Sequence, residues 1–223
     1  MNALNWRYAL GELVLIVLGI LIALAISDWN DGRIRQAQER ALLGEIGASL
    51  RADLAEFEQR LALVRRGEPL IAELARKLKS GDPYEPGMDR LFGAAYGVHV
   101  INLNSTAYET LKSYGLQSVS NVELRQRIAR VYDHHYEQIL AQTAIDTGVT
   151  LGVMRPYFLE NFRDLRFHES ATPIDYELVA SDTYFHNIVD YRLVVLRANQ
   201  LSSYPAAIAE IQAVLGLLER ELD

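Results

Sequence analysis

Residues 9–27 read ALGELVLIVLGILIALAIS. From Leu13 to Ile26 no side chain is polar, and the single charge, Glu12, stands near the head of the run. As a helix, this stretch rises roughly 28 Å, about the thickness of a bilayer's hydrocarbon core. It is apolar on every face, which fits a membrane span better than a buried soluble helix. A cleaved secretory signal is the rival reading, because Ala23-Leu24-Ala25 fits a small-x-small cleavage pattern. Against it, the basic region ahead of the run holds only Arg7, and a glutamate heads the apolar stretch. The expected division is a short N-terminal tail over residues 1–8, a transmembrane helix over 9–27, and a soluble α-helical domain over 28–223.

The flanks extend this reading. Trp6 and Tyr8 precede the run and Trp29 follows it. Amphipathic rings favour the headgroup layers, so these three are expected as membrane-interface anchors. Arg33, Arg35 and Arg40 follow the span, and a literal count of basic residues would leave the large domain in the cytoplasm. A short N-terminal anchor commonly stays inside while the domain after it is exported. The expectation is therefore a single-pass protein of the bacterial inner membrane with a periplasmic domain. The chain has no cysteine, so neither disulfides nor thiolate metal sites report the compartment.

The net charge is −7, with 22 basic and 29 acidic residues. An acidic chain repels phosphate backbones, so nucleic acid is not an expected partner. The expected partners are the lipid bilayer and either a second copy of the chain or another membrane protein.

Beyond the span, Leu43, Ile46, Leu50, Leu54, Phe57, Leu61 and Val64 recur at steps of three and four and draw one apolar stripe. The spacing predicts a stalk helix from Arg33 to Arg66 that continues the span, bent at Gly32 if anywhere and ended by Gly67 and Pro69. A second helix is expected from Pro69 to Lys79, then a loop over residues 80–87. Further helices are expected over Met88–Gly97, over Tyr108–Tyr114 with Gly115 as its C-cap, and from Ser120 or Asn121 to the Gly148–Gly152 region. Arg155-Pro156 opens a short one, residues 166–175 read as loop, and Asp182–Ser202 reads as helix. Pro205 then opens the last, where Ile208, Ile211, Leu215, Leu218 and Leu222 keep a coiled-coil-like seam. That seam is expected to pack antiparallel along the stalk. The fold class is all-α: one N-terminal transmembrane helix continuing into a stalk, plus a soluble helical bundle.

Two stretches resemble an uncharacterised bacterial membrane-protein family, one of the domains of unknown function. The first is Tyr8-Ala9-Leu10-Gly11-Glu12 with Val17-Leu18-Gly19-Ile20-Leu21-Ile22-Ala23-Leu24 and Asp28-Trp29-Asn30. The second is Asn104-Ser105-Thr106-Ala107-Tyr108-Glu109-Thr110-Leu111-Lys112-Ser113-Tyr114-Gly115, followed by Leu124 and Tyr132. The resemblance covers the first two-thirds of the chain. It implies architecture rather than chemistry, and it marks Gly11, Glu12, Thr106, Tyr108, Glu109, Leu111 and Gly115 as family positions.

Among single residues Glu12 stands out, because a carboxylate within a span is costly and suggests function. At about 100° per residue, Gly19 and Ala23 each lie within about 20° of Glu12, and Ser27 continues that side. Glu12, Gly19, Ala23 and Ser27 thus form the expected helix–helix contact, since small residues let membrane helices approach closely. Asp28 and Asp31 read as a polar collar rather than an EF-hand. His134 and His135 are adjacent and point about 100° apart, so they do not share a metal easily. His135 falls on the apolar face and is expected as a core histidine. His99, His168 and His186 complete no ligand motif. Tyr96, Tyr108, Tyr114, Tyr132 and Tyr136 are expected in core packing, with a ligand pocket as the alternative. No phosphate loop or nucleophile elbow is present, and no cofactor is expected. The function expected is a membrane-anchored helical interaction protein, a scaffold or accessory subunit of an envelope complex, and not an enzyme. The alternative is a ligand sensor signalling through a partner, and behind it an enzyme whose site the sequence does not reveal.

Overall fold

An amphipathic stripe on a long helix needs a covering surface, and here two further long helices supply it. The computed structural model describes residues 6–98 and 100–222, with side chains from Leu10 onward except Val14. The expected anchors Trp6 and Tyr8 have side chains outside that set, and His99 lies outside the described residues. The described chain is 83% helical with only two short strands, so the all-α expectation holds.

Helix α1 spans Trp6–Ser80, 75 residues, which is about 110 Å. Short helices α2 (Met88–Ala95) and α3 (Thr106–Tyr114) follow, joined by irregular backbone. Next comes one continuous helical run built from α4 (Val122–Arg130), a π-helical turn (Val131–Tyr136), α5 (Glu137–Val149), a second π turn (Thr150–Met154) and α6 (Arg155–Asn161). Strands β1 (Phe162–Arg166) and β2 (Ser170–Pro173) form an antiparallel hairpin, with Phe162 opposite Pro173. After α7 (Tyr176–Ser181), α8 (Thr183–Val195) continues through a π turn (Leu196–Gln200) into α9 (Leu201–Leu222).

The three long runs lie side by side. Phe57 meets Tyr204 at a ring distance of 5.4 Å, Arg197 donates to Glu68 at 2.6 Å, and Lys79 donates to Asp190 at 2.8 Å. Numbers rise along α1 while they fall along α8–α9, so the two are antiparallel, as the seam predicted. The middle run is antiparallel to α8–α9 by the same test, through Arg127–Glu210 at 3.3 Å, Asp146–Arg192 at 2.7 Å and Tyr157–Phe185 at 5.1 Å. The stripe from Leu43 to Val64 and the seam from Ile211 to Leu218 are buried, with Leu54, Ile208 and Leu222 at their edges. The apolar interior falls into two clusters. One reaches from Leu42 to Leu61 on α1, and the other from Val64 to Leu78. Asp146, Thr150, Arg192 and Gln200 form a buried polar layer between them.

Several expected boundaries are overturned. Gly67 and Pro69 do not end α1, which runs on to Ser80 and absorbs the expected second helix, and Gly32 lies within it as well. Pro69 is exposed and costs the ladder one hydrogen bond, about 3 kcal/mol. Ile71, Leu74 and Leu78 just beyond it are buried, each contributing about 1.5–3 kcal/mol only while the helix continues. Burial wins. Pro205 likewise sits inside α9 rather than opening it, between buried Tyr204 and Ala207. Gly148 and Gly152 do not interrupt the middle run, and Arg155-Pro156 does not restart it. His135 is not a core residue. The π turn at Val131–Tyr136 inserts an extra residue into the face, so Tyr136 takes the buried place and His135 is left half-exposed.

The expected loop over residues 166–175 is in part a hairpin. Phe162 and Ala171 are buried in the distal cluster, and β2 alternates half-buried with buried. Its backbone lies so close to α2 that a Cβ on Gly93 would stand 2.1 Å from the Ser170 amide nitrogen. Only glycine permits that approach.

Gly93→Ala should lift the hairpin from α2 and cost about 1–3 kcal/mol. Leu215→Asp should cost about 3 kcal/mol or more, since it buries an unpaired charge. Glu219→Ala, on the exposed side of the same helix, should melt with the parent. Thermal unfolding of the detergent-solubilised full chain checks all three.

Candidate functional site

Asp53 falls where an apolar stripe ought to be unbroken, three residues after Leu50 and four before Phe57. It is buried, 3% exposed, on the face of α1 that meets the middle run. The Tyr136 hydroxyl donates to its Oδ2 at 2.8 Å, and the Asn104 amide donates to its Oδ1 at 3.1 Å. The Ser49 hydroxyl donates to the Asn104 carbonyl at 3.0 Å. Two polar side chains one turn apart on α1 thus hold both backbone groups of Asn104. Asn104 in turn accepts the Thr106 amide on its side-chain oxygen at 2.9 Å, which starts α3. The N-cap position itself, Ser105, makes no side-chain capping bond.

The family positions of α3 then reach across to the middle run. Tyr108 is buried, its hydroxyl donates to Asp133 Oδ2 at 2.6 Å, and its ring stacks on Tyr132 at 4.4 Å and 4°. Leu111 is fully buried in the proximal cluster. Glu109 is exposed and pairs with Lys112 at 2.7 Å, while the Lys112 ammonium lies 4.9 Å over the Tyr108 ring. Gly115 takes φ +93° and closes the helix, a conformation in which a side chain would be strained. The motif is therefore a clasp between α1 and the middle run. Of the five tyrosines singled out in the sequence, Tyr108, Tyr132 and Tyr136 come together here. Tyr96 stacks on Phe158 and Phe167 in the distal cluster, and Tyr114 is exposed.

Burial sets the chemistry of the clasp. It pushes the Asp53 carboxyl above the usual carboxylate range, against the opposing pull of Tyr136 and Asn104. It holds the Tyr108 and Tyr136 phenols well above their ordinary value, helped by Asp133 and Asp53 respectively, and pushes Tyr132 up to about 12. Burial and the neighbouring His134 lower His135. The Tyr108 and Tyr136 phenols stay protonated at neutral pH and act as donors. Between them lies a cleft of about 150 Å³ lined by Leu103, Tyr108, Lys112, Tyr132, Asp133 and Glu137 among others. Ligand pockets usually measure about 300–1,000 Å³, so this cleft suits packing better than a metabolite. His134 and His135 have ring centroids 5.2 Å apart at 66°. No group of three or more His, Asp or Glu side chains able to hold a metal occurs among the described residues.

The other expected site lies on the apolar N-terminal stretch of α1. Gly11, Glu12, Gly19, Ala23 and Ser27 are exposed, and a Cβ on Gly19 would meet nothing within 4 Å. Trp29 is exposed, with the Arg33 guanidinium 5.1 Å over its ring. The window beginning at Leu10 has a mean hydropathy of 2.7 and none of it is buried, so α1 is long and apolar enough to cross a membrane. The run Thr183–Leu222 also passes on length and composition, but 39% of its window is buried and it carries the bundle core.

The model of DUF6090, a family of unknown function, matches residues 12–147. The chain belongs to the DUF6090 family. The match begins at Glu12, takes in most of α1, and closes just past Asp146, so the Asp53 clasp lies wholly within the DUF6090 region. Arg192, Gln200 and all of α8–α9 lie beyond it. Comparison with curated proteins and with solved structures gave no match.

Sequence reasoning missed Asp53, Ser49 and the Asp146–Arg192 pair. Asp53 carried a readable signal, a charge at a stripe position. Arg192 likewise stands among Ile188, Val189, Leu193 and Val195.

A folded carboxyl with a raised pKa holds its proton to higher pH than the unfolded chain does. Stability should therefore fall as pH climbs from the ordinary carboxylate range through the raised value. Asp53→Asn should flatten that slope. Asp53→Ala should cost about 1–3 kcal/mol at all pH values, because the Tyr136 hydroxyl and Asn104 amide lose their acceptor. Denaturant unfolding at a series of pH values checks both.

Proposed function

We propose that this protein is a membrane-anchored interaction protein: a single-pass helix holds a rigid helical bundle at a bacterial inner membrane, with the bundle on the periplasmic side. The carrying observation is the apolar N-terminal stretch of α1, exposed on every side and joined to the bundle without a break. Exposed apolar surface on that scale needs a covering medium, and a bilayer is the one its length fits. The bundle supports a role as scaffold or accessory subunit of a larger envelope complex rather than an enzyme. Its interior is filled by side chains, and its polar clasp is committed to packing. The face of Glu12, Gly19, Ala23 and Ser27 supports self-association of the span, because small residues allow close backbone approach.

Carbonate washing should leave the full-length chain in the membrane fraction. A C-terminal alkaline phosphatase fusion should be active, and release by carbonate or an inactive fusion would overturn the anchor or its orientation respectively. Gly19→Ile should lower crosslinked dimer several-fold more than Leu18→Ile. Equal yields would remove this face as the contact.

A further inference from the structure

We infer that a second copy of this chain docks in parallel along the outward face of α1, beyond the membrane as well as within it. This rests on the self-associating anchor proposed above and extends the contact to a defined line of residues. Ala23, Ser27, Asn30, Ile34, Ala37, Ala41, Gly44 and Ala48 follow one another at steps of four, three, four, three, four, three and four. That is an unbroken heptad seam. All eight are exposed, on the opposite side of α1 from Leu43, Ile46, Leu50 and Phe57, which the bundle buries. A Cβ on Gly44 would meet nothing within 4 Å. α1 therefore has two working faces, one covered by its own chain and one bare.

A row of small residues names no partner by itself, but the charges beside it do. One flank of the seam carries Arg33 and Arg40, the other Asp31 and Glu45. In a parallel pair, a residue on the first flank faces the one five places later on the partner's second flank. Arg40 then meets Glu45 of the second copy, and the two-fold axis repeats the contact. Both residues are exposed, and neither has an ion-pair partner among the described residues. An antiparallel pair would set like charges against like, and two anchors in one membrane exclude it too. Asn30 lies on the seam and would meet its own copy across the two-fold axis only when the two chains are in register. The contact also has an end. Arg51 takes the next seam place after Ala48 and would face its own copy. A seven-residue repeat drifts about 20° per heptad on a straight helix, so the two shafts would wind gently left-handed.

The chain has no cysteine, so single cysteines report the contact directly in the full-length protein in its membrane. Ala41→Cys and Ala48→Cys should form disulfide-linked dimer under copper–phenanthroline at a yield at least several-fold above Arg35→Cys and Ala62→Cys. In the Ala48→Cys background, Glu45→Arg should lower the yield several-fold, and adding Arg40→Glu should restore it. Ala23→Cys reports the span alone. Dimer through Ala23→Cys with none through Ala41→Cys or Ala48→Cys would overturn this inference and leave the anchor reading standing. No dimer through any of the three would overturn both. A double reversal no better than the single one would overturn the parallel pairing of charges.

Discussion

The unbroken hydrogen-bond ladder of α1 is the constraint on which every other placement depends. One helix carries the apolar run at one end and the buried stripe at the other. Its direction fixes that of α8–α9, which must run back along it, and that in turn fixes the middle run. The helix survives Gly67 and Pro69 because each sits at a place where the loss is small against the burial on either side. Local propensity proposes a break at Pro69, and the packing of Ile71, Leu74 and Leu78 overrides it.

The interior follows a second constraint, that buried carboxylates need partners. Asp53 meets it with Tyr136 and Asn104, and so the irregular segment before α3 is tied to α1 rather than left free. Asp146 meets it with Arg192, whose Nη1 donates to both carboxylate oxygens at 2.8 and 2.7 Å. That pair lies in the polar layer between the two apolar clusters. A buried pair of this kind adds little net stability over a good apolar packing, while removal of either partner alone costs about 3–5 kcal/mol.

Much of this architecture was legible in the sequence, because it is written in periodicity. The stripe from Leu43 to Val64 and the seam near Leu215 recur at helical steps over many turns, and both are buried as that spacing requires. The long loop at residues 80–87 and the turn at Gly115 were also readable, from proline and glycine. What failed were boundaries set by distant contacts. The β-hairpin is two short strands whose pairing depends on α2 and Gly93, far away in sequence. The π turn at Val131–Tyr136 shifts the buried face from His135 to Tyr136, and no residue within it announces the shift. At the clasp, Tyr108, Tyr132 and Tyr136 were recognisable as a group. The carboxylate that Tyr136 bonds was not, because Asp53 lies 83 residues upstream on another helix.

The polar layer also bears on alternative packings of the same helices. An apolar seam with a regular repeat tolerates sliding by one turn, since leucine still meets leucine. A slip of one turn, about 5.4 Å, between α8 and α5 would carry the Arg192 guanidinium away from Asp146 and leave two opposite charges stranded in the interior. The pair therefore works as an index mark on the bundle, and the alignment of the long runs is discrete rather than graded.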